Sequence, residues 1–538
     1  MTTEVAADYD VIVLGTGAAG LVAALAATEE GATVGLFEKA DAVGGTTAIS
    51  GGTVWMPCNP HMNPDSDSRQ EALDYLSSLS LGLIDPEIAE VIVDEGPRTI
   101  SWLERITNLR FSSLPGFPDY HPENPGGKVG RSLDPDLFPF DRLGEWSDKV
   151  VGGQRNPHVR LSDLPIGGGT GFIDDATQAA RLQHDERGCG GGLVGALLEA
   201  LLQRGVTPIL RSQATDLIVE DGRVVGVELK TDKGAVVVRA RRGVVLATGG
   251  FEWDADLVNQ FLRGPMTSPA SPPTNTGDGL RMAMRVGADL GTMSEAWWVP
   301  TLEAPGDEAF GRQRAHLVLR ERTLPGSIMV NRDGRRFTNE AANYNAFGGA
   351  LHVLNPSKLE YANLPCWLIF DQRFVDRFGF HRTPAGGEIP SWVSRRDDID
   401  ELARVLQLPP GALEKTINRW NEQAANLCDV DFGRGDSAYD RWMGASGEST
   451  GHAATLGQLQ EPPFYAVQIH SGCLGTKGGP RTDAWARVLD TRGLPIAGLY
   501  AAGNVAAAST GRAYGGAGGT LGPIVVFGRR AGETAASN

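Results

Sequence analysis

Two glycine-bearing stretches at opposite ends of the chain carry the residue types best suited to chemistry. Near the start, Gly15-x-Gly17-x-x-Gly20 follows directly on the apolar run of residues 9–14. In that spacing Gly15 permits a tight turn, Gly17 lets a pyrophosphate reach the backbone, and Gly20 lets a helix pack on a strand. A helix starting there turns its unpaired N–H groups and positive dipole end toward the phosphates. Glu38 lies 23 residues past Gly15 (38 − 15), at the end of the next short strand, where it can accept from a ribose diol. Near the other end, GRAYGGAGGTLGP (511–523) holds six glycines and a single tyrosine, Tyr514. Glycine costs chain entropy and is used where backbone must approach something closely. A run of this kind points to a planar or charged group lying against the main chain.

The elements that position these residues read as an α/β fold. A buried strand over 9–14, an Ala/Leu-rich helix over about 18–30 and a strand in TVGLFEK form one nucleotide-binding unit. A second small-residue loop follows, with Gly44, Gly45, Thr46, Thr47, Ser50, Gly51, Gly52 and Thr53. NAD does not require it, whereas the longer FAD needs close backbone contact at both pyrophosphate and isoalloxazine. GVVLATGGFEWD runs a strand into Ala247-Thr248-Gly249-Gly250, and GLPIAGLYAAGNV closes on Gly503-Asn504. TLGP followed by IVVFGRRAG reads as the start of a final helix whose positive end favours a reduced, anionic flavin.

Composition sets bounds on the rest. The 538 residues carry 49 Lys and Arg against 66 Asp and Glu, a net charge of −17, which disfavours nucleic acid and anionic membranes as partners. The five cysteines are scattered with no CxxC, and the nine histidines include no HExxH, so neither a disulfide framework nor a metal site is expected. No apolar run is long enough to span a membrane. The acidic start MTTEVAADYD lacks the pattern of a signal peptide. A cytoplasmic address is the expectation.

Over its whole length the chain resembles the fumarate reductase/succinate dehydrogenase flavoprotein superfamily. The landmarks are Thr276-Gly277-Asp278-Gly279 before LRMAMRVGADL, then SIMVNRDGRRFTNE (327–340), then the terminal GLYAAGN and VVFGRRAG. The resemblance implies FAD contacts also at Ala18, Ala19, Lys39, Ala214, Asp278, Gly519, Leu521 and Gly522. It departs from the fumarate reductases in having SEAWWVPTL without a histidine, and Arg512 two residues before Tyr514. The histidine that would attach flavin covalently is missing from GGTTAISGG, so FAD is expected to bind non-covalently.

Within the superfamily the pattern is similar to the 3-ketosteroid Δ1-dehydrogenases. Tyr120 in GFPDYHPENPGG, Tyr344 in NEAANYNAF, and Tyr514 with Gly518 in YGGAG stand at that family's sites, and Phe117 matches an apolar pocket residue. The resemblance implies that Tyr514 O–H and Gly518 N–H stabilise the oxygen of a ring ketone as an enolate develops. Tyr344, as tyrosinate, would take the C2 proton with help from Tyr120, and C1 hydride would pass to flavin N5. Electrons would then go to an external acceptor that nothing in the chain identifies. Glycine and alanine near Tyr514, where the 4,5-dehydrogenating relatives carry serine, favour 1,2-desaturation. The alternatives are oxidation or reduction of another enone, including 4,5-dehydrogenation of 3-ketosteroids, and fumarate-reductase-like alkene reduction. Trp297 and Trp298 either line the substrate pocket or fill a domain interface, and His121, Arg512 and Lys477 read as structural.

Two domains are expected: a Rossmann-like, parallel-sheet FAD-binding domain from residues 1–303 and 464–538, and an inserted α+β substrate-binding domain over 304–463. Within the insertion, DIDELARVLQLPPGALEKTINRWNEQAA predicts two helices broken at Pro409-Pro410, and VNRDGRRFTNE a hairpin turning at Asp333-Gly334. The Gly- and Pro-rich segment 113–170 is expected to be irregular and to cover the active site as a lid. The terminal AASN is expected to fray.

Overall fold

The computed structural model describes residues 5–152 and 156–538. The reading of the extreme N-terminus as lacking a signal sequence therefore falls partly outside the described residues. Val5–Leu14 forms the first strand and pairs in parallel with both Val34–Phe37 and Gly234–Leu246. The sheet continues through Pro495–Ala501, so the chain returns near its C-terminus to the layer it started in. Its far side is antiparallel, because Gln213–Glu220, Arg223–Thr231 and the first half of Gly234–Leu246 make a meander. The sheet is thus mixed rather than purely parallel.

The helix Ala18–Glu29 is buried almost all round, consistent with its run of alanines and leucines. It packs against the final helix, Leu521–Ser537, where a Cβ on Gly532 would lie 2.2 Å from Ala23 O. The backbones touch, which small residues alone permit. That packing extends to the C-terminus: Ala535 and Ala536 are buried and Asn538 Nδ2 donates to Tyr500 Oη at 3.0 Å. The expected fraying of AASN is corrected accordingly.

The second sheet is antiparallel, ordered Arg312–Leu317, Ala296–Ala309, Phe464–Thr476, Cys366–Phe370, Ser327–Asn331, with Ser394–Arg396 beside Phe464–Thr476. Ala296–Ala309 crosses the first expected boundary and Phe464–Thr476 begins just after the second, so this layer extends at both ends beyond the 304–463 span. Helices Ile399–Val405 and Ala412–Ala425 flank the Pro409-Pro410 break as predicted. The turn at Asp333-Gly334 forms, with Gly334 N–H donating to Asn331 O, but no second strand follows. Arg336 and Glu340 instead leave the sheet for a buried ion cluster with Asp429 and Arg434. Among the described residues of 113–170 the regular structure is limited to short strands and 3₁₀ turns, consistent with the irregular segment expected. Among the described residues no helix is long and apolar enough to cross a membrane.

Candidate active site

A cleft opens where the parallel strands end. Gly15, Gly17, Ala18, Ala19, Glu38, Lys39, Gly45, Thr46, Thr47, Ala214, Ala247, Thr248, Gly249, Asp278, Gly503 and Asn504 all line it, as the sequence suggested. Gly15 has φ +105°, and a Cβ there would sit 2.3 Å from Ala247 O, so the turn accepts only glycine. Gly17 begins the first helix without a side-chain cap, leaving helix-end donors for an anion. Glu38 Oε2 accepts from Thr16 N–H (3.0 Å) and Thr16 Oγ1 (2.7 Å), and its Oε1 from Ala40 N–H (3.0 Å), which fixes the carboxylate at the rim. Lys39 Nζ is tied to Asp278 Oδ2 (2.9 Å) and Thr276 Oγ1 (2.7 Å). A helix N-terminus, a tight glycine turn and a ribose-height acid converge here, the donor set that an adenine dinucleotide requires.

Several expected contacts do not line this cleft. Gly20 and Gly44 lie beneath its floor: a Cβ on Gly20 would meet Gly15 O at 1.9 Å, and one on Gly44 would meet Ala48 and Val194. Ser50, Gly51, Gly52 and Thr53 move past the cleft, and Gly52 abuts the Cys189 backbone that opens helix Cys189–Gln203. Gly250 packs on Glu252 and Thr476. Sequence reasoning missed Thr16, Ser212, Thr274, Asn275 and Ile524. Asn275 was detectable two residues before Gly277; its Nδ2 reaches Thr46 Oγ1 (2.9 Å) and the buried Glu252 (2.6 Å).

A second cavity continues from the first through Gly503, Asn504 and Ile524 and is walled by Trp297, Lys477, Thr520 and Phe527. Trp297 Nε1 donates to Asn504 Oδ1 at 3.0 Å, and its ring lies 4.9 Å from that of Tyr514. Trp298 faces the other way. Successive side chains of a strand alternate, and Trp298 is drawn to Glu295 Oε2 (3.1 Å) and the His352 ring (4.5 Å). Its expected place in the substrate pocket is corrected to the opposite face of Ala296–Ala309.

Beyond Trp297 lies a cluster of phenols. The Tyr120 ring is 5.4 Å from Tyr344, 5.1 Å from Tyr514 and 5.0 Å from Tyr439, and Tyr344 is 5.5 Å from Tyr514. Three residues separated by up to 394 positions (514 − 120) in the chain are thus brought together. Phe117, Leu114, Val299, Met443 and Ala517 complete the apolar wall, with Leu161 and Ile166 from the irregular segment packed over it. Tyr439 and Met443 are further members that no motif had marked.

The glycine loop is shaped by protein contacts as well as by the cleft. Gly515 O accepts from Tyr75 Oη (2.7 Å) and Tyr120 N–H (2.9 Å), and Ser132 Oγ holds Ala517 O (2.9 Å). Gly518 has φ +88°; a Cβ would strike Thr53 O at 2.3 Å, and its N–H meets no protein acceptor among the described residues. Gly522 packs on Trp55 O and Gly519 against Tyr514, so with Leu521 they support the loop instead of lining either cavity. Lys477 Nζ, buried, donates to Arg512 O (2.6 Å) and Ala513 O (2.9 Å) and sits 4.1 Å from the Trp297 ring. Burial lowers its pKa to about 7.

Burial pushes the phenols of Tyr344 and Tyr120 well above the ordinary tyrosine value, and that of Tyr514 upward too, against a hydrogen bond from Thr520 Oγ1 (3.1 Å). The apolar wall therefore opposes the tyrosinate expected at Tyr344. Among the described residues one group has metal-ligand geometry, Asp307 with His316 and His381, but Arg314 and Arg382 both pair with that carboxylate, and two guanidiniums oppose a cation there.

The FAD binding domain family matches residues 10–521 of the chain. The 4-oxocyclohexanecarboxylate 2-dehydrogenase of Sinomonas cyclohexanicum is 38% identical, covering 98% of this chain and 93% of that protein. The 3-oxosteroid 1-dehydrogenase of Mycolicibacterium smegmatis is also 38% identical, covering 97% and 96%. Among solved structures, the 3-ketosteroid Δ1-dehydrogenase of Sterolibacterium denitrificans, in complex with 1,4-androstadiene-3,17-dione, superposes with a TM-score of 0.88 at 34% identity, covering 98% of this chain and 99% of that one.

Proposed function

The chain belongs to the FAD binding domain family, and on that premise we propose that it is an FAD-dependent oxidoreductase that introduces the 1,2 double bond into 3-ketosteroids. The observation that carries the reading is the apolar phenol cluster beside the second cavity. When bound, FAD supplies the acceptor for the hydride that leaves the substrate.

The residues of the chain divide the remaining work. The C–H bonds beside a ketone are weakly acidic, and the barrier falls when the ketone oxygen is stabilised as charge builds on it. Tyr514 O–H and Gly518 N–H hold that oxygen in this reading, each donor being worth roughly 3–4 kcal/mol in a dry site. Tyr344 takes the C2 proton, and Tyr120 hands it on. Trp297 closes the side toward the flavin, and Phe117 with Leu161 and Ile166 excludes water. The inserted antiparallel layer and its helices act as the substrate domain, and the irregular segment as its lid.

A second reading is a smaller ring ketone carrying a carboxylate, which the equally similar 4-oxocyclohexanecarboxylate enzyme suggests. The two substrates share the ketone chemistry and differ in charge. Three of the cations near the phenols are already engaged, Lys477 by two carbonyls, Arg320 by Met443 O and Gly444 O, and Arg512 by Glu295, and Arg322 lies behind the phenols and lines neither cavity. An acid brought here would pay the desolvation of its charge with no facing partner. The neutral steroid is therefore favoured. Replacing Tyr344 with Phe should abolish ketosteroid-dependent flavin bleaching while FAD stays bound. Retained bleaching would remove Tyr344 as the base.

A further inference from the structure

Behind the phenols lies a cation without a counterion. Arg322 is fully buried and forms no ion pair among the described residues. Its Nε donates to Val318 O (3.0 Å) and its Nη1 to Ala342 O (2.7 Å) and Glu340 O. The guanidinium lies 4.5 Å over the Phe347 ring, while Nη2 has no partner. Beside it is Tyr439, also buried, whose hydroxyl is likewise unpartnered. Tyr439 stacks edge-on against Tyr120, and Tyr120 against Tyr344. A buried charge with no counterion is costly, so its presence beside the phenols calls for a function.

We propose that Arg322 is a positioning residue for the phenol cluster, an unpaired guanidinium whose field, acting across the packed rings of Tyr439 and Tyr120, stabilises the anionic form of Tyr344. This rests on the reading of Tyr344 as the base. It answers the difficulty raised by the apolar wall, which otherwise works against ionisation. Burial lowers the pKa of Arg322 to about 10; among the charges around it Tyr439, Asp440 and Glu321 favour its charged form and Arg434 opposes it. Asp440 already accepts from Asn339 Nδ2 (2.8 Å) and Gly435 N–H (2.9 Å), and Arg434 shares Glu340 with Arg336, so neither occupies the free Nη2. Toward Tyr120 the facing groups are Tyr439, Tyr514 and Tyr344 together with the Arg322 cation; toward Tyr344 they are Tyr120 and Tyr514.

The test uses the FAD-loaded protein as wild type, Arg322→Met, Arg322→Lys, Tyr439→Phe and Tyr344→Phe. Two quantities are followed across pH 7 to 11: the anaerobic rate of flavin reduction by a 3-ketosteroid, and phenolate absorbance near 295 nm, with Tyr344 assigned by difference from Tyr344→Phe. In Arg322→Met the acid limb of the rate profile and the Tyr344 step both move up by about one pH unit, so the rate falls about tenfold below the limb. Arg322→Lys restores most of this, and Tyr439→Phe moves both in the same direction by less. A limb and a phenolate step that stay in place in folded Arg322→Met overturn the proposal. Should that variant not fold, the same result in Tyr439→Phe overturns it, since the carbonyl bonds of Arg322 remain. Absence of bleaching in the wild type would instead count against the dehydrogenase reading, and the phenolate step would still decide the role of Arg322.

Discussion

At the scale of single residues, the phenols are held by packing more than by hydrogen bonds. Each edge-to-face contact is worth about 0.5–1.5 kcal/mol, and Tyr120 makes three of them, so its ring is fixed where Tyr344 needs a neighbour. Tyr514 differs in having the Thr520 hydroxyl on its oxygen and Trp297 on its face. Replacing Tyr514 with Phe keeps the packing and removes one donor to the ketone oxygen. The expected outcome is a fall of about 10²–10³-fold in the flavin-reduction rate with little change in melting temperature. The pH dependence follows from the same burial. With Tyr344 as the proposed phenolate base and its pKa raised by burial, the rate should climb about tenfold per pH unit from pH 7 toward the alkaline limb, as stopped-flow bleaching can record. Stability runs the other way. A phenol whose folded value exceeds the unfolded value of about 10 stabilises the fold fully below that pH. This contribution is lost as pH rises through the folded values, so alkaline unfolding sets the upper end of the useful range.

At the scale of elements, the glycine loop 511–523 is the piece whose purpose the sequence showed only in part. Its composition announced a close backbone approach. What it approaches is partly protein: Trp55, Thr53 and the Tyr75 hydroxyl lie in segments that no local pattern links to residue 515. The Gly15 turn was legible because its function is local, whereas Ser50 through Thr53 were misplaced because the loop's course depends on helix Cys189–Gln203. Trp297 and Trp298 could not be separated until the strand through them was seen, after which alternation divides them. Two substitutions test the loop. Gly518→Ala adds a Cβ against Thr53 O at positive φ and should cost roughly 1–3 kcal/mol of stability along with most of the activity. Lys477→Met leaves the Arg512 carbonyl unpaired and Ala513 O with the Thr510 hydroxyl alone (3.3 Å), which loosens the residues before Tyr514. It should slow flavin reduction and increase proteolysis within 509–514, while adenine-end binding, followed by quenching of FAD fluorescence, is retained.

At the scale of the molecule, two sheets meet at the phenol cluster, one presenting the dinucleotide cleft and the other carrying Trp297. The nucleotide layer was legible from its motifs. The extent of the antiparallel layer was not, because Ala296–Ala309 runs without a break through the first expected boundary and Phe464–Thr476 lies wholly beyond the second. The buried, unpartnered Arg322 and Tyr439 also escaped sequence reading, since an arginine and a tyrosine 117 positions apart (439 − 322) carry no spacing signal. Because the first helix and the last pack through small residues at the cleft floor, FAD binding and folding are coupled. FAD at a hundred times its dissociation constant should stabilise the protein by about 2.7 kcal/mol, read as a rise in melting temperature that Gly15→Ala abolishes. The most direct measurement of the central claim is an anaerobic titration of the FAD-loaded enzyme with androst-4-ene-3,17-dione, 4-oxocyclohexanecarboxylate and succinate in parallel. A neutral ring ketone held by Tyr514 and Gly518 predicts stoichiometric bleaching of the oxidised flavin band by the steroid and none by succinate. Bleaching by either acid with none by the steroid would contradict it.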